Sequence, residues 1–237
     1  MNLLTSNIDN LTRLWQVYGH YSQGGLHVNT DWPRKIWLAD PSSDFTITDL
    51  KTIAKYDSNY TVALWPQTNT EKVKSYLSLD RASQLHFMSL MMSGYSPCTQ
   101  SSANFALKRL SSTDRQQIET FVDLCSRGFG YEINPEVMRR AARFSEVLLY
   151  LLYENDIPVA TALTYVKNGV CGIYQVSVPH IYRGKGYAKS MMVMLLNEIK
   201  QSDVEIATLQ ASKMGLGLYV NLGFRENGLL EFYGARH

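Results

Sequence analysis

The sequence predicts an α/β fold, and three observations predict it. Residues 105–237 alternate short apolar, β-branched runs with segments of helical periodicity. One of those runs, at Val170–Val178, feeds a glycine-broken turn that opens directly into an amphipathic pattern. Residues 1–98 also alternate helical and extended patterns, without any such turn.

The second half justifies this element by element. Phe105–Leu110 reads as a strand. Ser111-Ser-Thr-Asp114 reads as a helix start, after which Ile118, Phe121, Val122 and Cys125 share one face. A second helix is expected from Pro135 to about Phe144, capped by Asn134. Val147–Tyr153 and Pro158–Val166 read as strands joined at Glu154-Asn-Asp-Ile157, with a third at Val170–Val178. The next helix carries Ala188, Met191, Met192, Leu195 and Ile199 on one side, a spacing that marks core. Glu205–Ala211 is a strand, Gly215–Leu222 a short helix, and Phe224 to about Tyr233 one or two strands. In the first half, Leu3–Tyr21, Thr46–Tyr56 and Asn69–Leu79 look helical. Lys35–Ala39, Thr61–Trp65 and His86–Met92 look extended. The polar stretch Tyr95–Ala103 is the best linker, dividing a smaller N-terminal α/β unit (1–100) from a C-terminal domain (101–237).

Val176-Ser-Val-Pro-His-Ile-Tyr-Arg-Gly-Lys-Gly-Tyr-Ala188 carries the chemistry. A strand, a glycine turn and a helix N-terminus together make an anion site, because the first-turn N–H groups lack partners and the helix dipole is positive there. Gly184 and Gly186 clear the way for a phosphate, and Arg183, Lys185 and Lys189 add positive charge. A tight turn that uses its glycines for geometry alone is the competing reading. A Walker A loop is absent, since its glycines would fall at Arg183 and Ala188. The dinucleotide pattern G-x-G-x-x-G fails at Lys189.

A second motif lies one helix and one strand later. Ala211-Ser-Lys-Met-Gly-Leu-Gly-Leu-Tyr-Val-Asn-Leu-Gly-Phe224 follows the R-G-x-G-x-A turn in an order and spacing that resemble the GNAT (Gcn5-related) N-acetyltransferases, from about residue 104 to the C-terminus. The resemblance implies a mixed sheet in the order βααβββαβαβ and acetyl-CoA as co-substrate. It assigns Arg183, Gly184, Lys185, Gly186, Tyr187 and Ala188 to the pyrophosphate and Val176, Ser177 and Val178 to main-chain pairing with the pantetheine arm. Ser212 matches a position near the cofactor, and as a lone serine at a strand end it could also cap a helix. Tyr219 matches the tyrosine whose phenol protonates the departing sulfur; a ring that packs beside the thioester and only orients it is the plainer reading. The loop departs from the family's usual Q/R-x-x-G-x-G/A at Ile181. Glu146, Tyr174, Gln175 and His180 are candidates for a base, and none stands out.

The function expected is transfer of an acetyl group to a primary amine of a small molecule or peptide. The alternative is a non-catalytic acyl-CoA sensor. The N-terminal unit has no comparable turn and should hold no second acetyl-CoA. A degenerate copy of the same fold is one reading of it, and no clear internal repeat proves that. Its large rings, Trp15, Tyr18, Trp32, Trp37 and Trp65, could form core or line an acceptor pocket. A net charge of +2 with no basic run gives no case for nucleic acid. Three scattered cysteines, Cys98, Cys125 and Cys171, argue against a disulfide framework or a metal site. No apolar run reaches bilayer length and the N-terminus lacks a signal pattern, so a cytoplasmic location is expected, with no membrane partner. A homodimer is neither encoded nor excluded.

Overall fold

The computed structural model describes residues 2–98 and 104–235, the last by its backbone alone. Of the expected linker, residues 99–103 lie outside the described residues.

Helix α1 (Leu3–Val17) is capped by Asn2, whose side chain accepts from the N–H groups of Leu4 and Thr5. It buries Ile8, Leu11, Leu14 and Trp15 at helical spacing. The helix stops short of the expected Tyr21 because Gly19 takes φ +103° and turns the chain into a hairpin, β1 (His20–Gln23) and β2 (Leu26–Asn29). Then come β3 (Lys35–Leu38), α2 (Ile47–Ile53), β4 (Thr61–Leu64) and α3 (Thr70–Leu77). Thr46 and Asp49 close a reciprocal capping box on α2. Strand β5 (Leu79–Met91) is far longer than His86–Met92. Its first half is polar and exposed, and its pairing partner rather than its own pattern makes it a strand.

The second half follows the expected order: β6 (Phe105–Arg109), α4 (Arg115–Phe129), α5 (Pro135–Ala141), β7 (Val147–Glu154), β8 (Ile157–Lys167), β9 (Val170–Ser177), α6 (Tyr187–Lys200), β10 (Ile206–Ala211), α7 (Leu216–Asn221) and β11 (Arg225–Ala235). β7 and β8 join through Asn155 and Asp156, both at positive φ, as a tight hairpin turn requires.

The described strands form one mixed sheet in the order β1-β2-β3-β4-β11-β5-β10-β9-β8-β7-β6. β3–β4 and β9–β10 are parallel and the other neighbours antiparallel. The sheet crosses the expected boundary near residue 100, for β5 lies between β10 and β11. Side chains alternate between two cores, as the pleat dictates. Leu149 and Leu151 of β7 join Leu163 of β8 under α1, α4 and α5. Leu152 of β7 and Ala162 of β8 join Met191, Met192 and Leu195 of α6 on the other face. A third core, around Phe45 and Leu50, lies under α2 and α3. Trp15, Trp37 and Trp65 are packed interior, with Trp15 at 5.2 Å from Trp37 and 6.0 Å from Trp65. Trp32 is half-buried against Tyr18 at 5.2 Å.

Candidate active site

The parallel strands β9 and β10 do not stay together. Val170–Gly172 pair with Ile206–Thr208, and there the pairing ends. β9 continues along β8 as far as Ser177, opposite Thr161. β10 continues along β5 as far as Ala211, opposite His86. The sheet therefore forks toward the carboxyl ends of both strands. A bulge bends the β9 arm: between the pairs Leu163–Tyr174 and Thr161–Ser177, β9 has two residues where β8 has one. Gln175 sits in the bulge at φ +53°. Its carbonyl accepts from Thr161 Oγ1 at 2.8 Å, its Nε2 donates to Tyr18 Oη at 3.3 Å, and its Oε1 accepts from the Cys125 thiol at 3.4 Å.

Because β9 and β10 are parallel, the segments that follow them emerge on the same edge of the sheet. The two sequence motifs, remote in the chain, thus flank one fork. After β9, Pro179 and a short turn at His180–Tyr182 lead to Gly184 at φ +78° and Gly186 at φ +83°. A Cβ at either glycine would meet nothing within 4 Å, so the outer side of the turn is open. Gly186 is the N-cap of α6, and neither a capping side chain nor an acidic residue serves the first turn. Its N–H groups remain available to an anion. The residues fit the phosphates of a coenzyme A thioester.

Individual side chains divide in role. Lys185 and Lys189 are exposed beside the turn. Arg183 is not a mobile charge: its Nε donates to the Val178 carbonyl at 3.1 Å and its Nη2 to the Gly128 carbonyl at 2.6 Å, which ties the turn to β9 and α4. Tyr187 is buried, donates to Glu154, and points into the core, leaving only its backbone for a ligand; that hydrogen bond and burial push its phenol up to about 12. Ala188 is half-buried. Ser177 turns its hydroxyl to the Cys125 carbonyl at 3.3 Å, while Val176 and Val178 pack toward α6. Ser212 is exposed and caps nothing: Gly215 is the N-cap of α7, without a side-chain cap, and the Ser212 carbonyl receives the Gly215 N–H at 2.9 Å. Tyr219 lies edge-on to Phe224 at 6.0 Å, and burial pushes its phenol up to about 12.

The base candidates separate clearly. Glu146 stands at the wrong end of the sheet. Its neighbour Val147 pairs with Tyr165, beside the start of β9, and its carboxylate holds Lys167 at 2.9 Å. That ion pair keeps its carboxyl below the usual range. Tyr174 is buried and donates to Asn10 at 2.6 Å. His180 is exposed beside the turn, and Gln175 lies at the fork. Sequence reading missed Asn7, Asn10 and Gln210, and named Tyr18 only as core or pocket lining and Cys125 only as part of a helix face; all five surround the fork. The available signal was two asparagines, three apart, on the apolar face of α1. Among the described residues no cluster of three metal-ligating side chains occurs, and no helix is long and apolar enough to cross a membrane.

The fork thus lies beside a glycine turn and an uncapped helix N-terminus within one mixed sheet. The profile of the Acetyltransferase (GNAT) domain matches residues 110–234, and the chain belongs to that family. A GCN5-related N-acetyltransferase from Kribbella flavida superposes over 100% of this chain and 96% of its own, with a TM-score of 0.73 at 15% identity. A putative GNAT-family acetyltransferase from Novosphingobium aromaticivorans covers 98% of this chain and 97% of its own, with a TM-score of 0.62 at 14% identity. At these identities the likeness is one of fold. No protein of curated function matches the sequence.

Proposed function

We propose that the chain is an N-acetyltransferase that moves the acetyl group of acetyl-CoA to a primary amine of a small molecule or peptide. The fork beside the open, uncapped turn carries this reading. The turn Arg183–Ala188 would hold the pyrophosphate through backbone N–H groups, with Lys185 and Lys189 adding charge. Residues 176–178 lie at and just past the end of the β9 arm that β10 has left, and their main chain would pair with the pantetheine arm as a short extra strand. Ser212, on the opposite lip, follows the end of the β10 arm. Acetyl-CoA supplies an activated carbonyl that the amine attacks directly.

Tyr219 would serve the departing sulfur. A phenol held near 12 stays protonated throughout the neutral range and is always ready to donate. The attacking nitrogen sheds one proton and the sulfur gains one, so Tyr219 can give its own and be restored through water. The groups pinned around Gln175 are neutral: burial pushes the Cys125 thiol up to about 12 and raises Tyr18 well above its ordinary value. An amine that enters neutral needs little further help there. The test is a panel of amines assayed for thiol release from acetyl-CoA. Turnover with at least one primary amine is expected. Acetyl-CoA binding without turnover on any amine would favour the sensor instead.

A further inference from the structure

Helix α1 carries two polar residues on its apolar face, Asn7 at 0% and Asn10 at 2% exposed. They are three residues apart, so both reach the sheet side by side. Asn10 spends its groups at the base of the fork and on its β9 side, Asn7 on its β10 side. Asn10 Nδ2 donates to the carbonyls of Tyr165 at 3.3 Å and Val170 at 3.1 Å, and its Oδ1 accepts from Tyr174 Oη at 2.6 Å. All three partners lie on β8 and β9. Asn7 Nδ2 donates to the carbonyls of Met88 at 2.9 Å and Leu209 at 3.3 Å, and its Oδ1 accepts from Gln210 Nε2 at 2.6 Å. Those partners lie on β5 and β10.

Asn10 stands over the crotch of the fork. Gly172 is the last β9 residue paired with β10, and a Cβ on it would fall 2.1 Å from Asn10 Oδ1. Only a missing side chain lets the helix come this close. Just past the helix end, Tyr18 takes the Gln175 amide at the bulge, and Arg140 donates to the Tyr18 carbonyl. Strands that have given up their mutual hydrogen bonds keep a fixed separation only when other groups hold them.

We infer that α1, from the first half of the chain, sets the width of the fork: Asn10 anchors its base and reaches the β9 arm through Tyr174, Tyr18 holds that arm at Gln175, Asn7 holds the β10 arm, and the three are positioning residues for the pantetheine arm. This rests on the acetyl-CoA reading above. Buried side-chain amides that satisfy main chain at the base of the fork and along its β10 side do more than fill a core, for Leu or Met would have done that without polar cost.

The test uses the full chain and two ligands, acetyl-CoA and 3′-phospho-ADP, which is the same nucleotide without the pantetheine arm. Their affinities are compared in wild type, Asn10→Asp and Tyr18→Phe. Asn10→Asp loses both donors to β8 and β9. Tyr18→Phe keeps the ring against Trp32 and removes only the hydroxyl, so it decides alone if Asn10→Asp does not fold. The expected result is a loss of acetyl-CoA affinity of about tenfold in Asn10→Asp and about fivefold in Tyr18→Phe, with 3′-phospho-ADP unchanged. Equal weakening of both ligands would mark a structural role only and overturn the inference, as would unchanged acetyl-CoA affinity in a folded variant. Wild type that binds neither ligand would instead remove the acetyl-CoA reading, and this inference with it.

Discussion

At the scale of the residue, Tyr219 tests the chemistry most sharply. Its ring is fixed edge-on to Phe224, its phenol lies near 12, and no hydroxyl partner occurs among the described residues. Tyr219→Phe keeps that packing and removes only the proton. Steady-state assays should show kcat lower by about 10²-fold with little change in acetyl-CoA affinity, as for loss of a positioned acid. Equal turnover in the two proteins would leave the ring a purely orienting role. The turn at Gly184 and Gly186 and the short helix that carries Tyr219 were legible in the sequence because their signals are local: glycines before a helical pattern and a short helix before Gly-Phe. The fork contacts of Asn7, Asn10 and Tyr18 were not, because their partners lie more than 80 residues away. The cap that Ser212 could have made is absent. Gly215 is the N-cap of α7, and its N–H goes to the Ser212 carbonyl at 2.9 Å.

At the scale of the element, α4 and β9 meet unusually closely. A Cβ on Gly128 would fall 1.8 Å from Ser177 Oγ and 3.2 Å from the Ser177 Cβ. Gly128→Ala must therefore push α4 away from the β9 arm, where Arg183 also ties the Gly128 carbonyl to the turn. We expect a loss of about 1–3 kcal/mol by denaturant titration. Adding Ser177→Ala removes the nearest atom and should recover about 1 kcal/mol. Strict additivity of the two changes would show that the contact is not where the strain falls. The helices α4 and α6 and the strands β6–β10 were readable because each carries its own periodicity. The hairpin β1–β2 was not, since β1 is exposed and polar and was absorbed into the helical pattern before it. The leading part of β5 was equally silent, since β11 rather than its own sequence makes it a strand.

At the scale of the molecule, one sheet joins both halves of the chain, and α1 packs on strands from each. The halves should unfold in a single calorimetric transition; two resolved transitions would count against such coupling. Stability should also depend on pH above neutrality, with opposing signs. Burial pushes Cys125 and Cys171 from 9.0 up to about 12. Their contribution is complete below about pH 9 and is lost as pH rises through 12. Burial lowers Lys35 from 10.5 to about 8, so its contribution is present above 10.5 and is lost as pH falls through 8. The two thiol terms, joined above pH ~10 by the raised phenols of Tyr131, Tyr187 and Tyr219, outweigh the one rising term, and urea midpoints should pass a shallow maximum near pH ~9 before they decline. A steady rise through pH ~10.5 would show that the thiols are not held protonated by the fold. The most direct measurement of the whole account is calorimetric titration of acetyl-CoA into wild type and Gly186→Glu. Gly186 caps α6 at φ +83° with open space above it, so a glutamate there would bring bulk and negative charge to the proposed phosphate cradle. The account predicts one acetyl-CoA bound per chain in wild type and none in a Gly186→Glu variant that keeps its thermal transition. Unchanged affinity in that folded variant would contradict it.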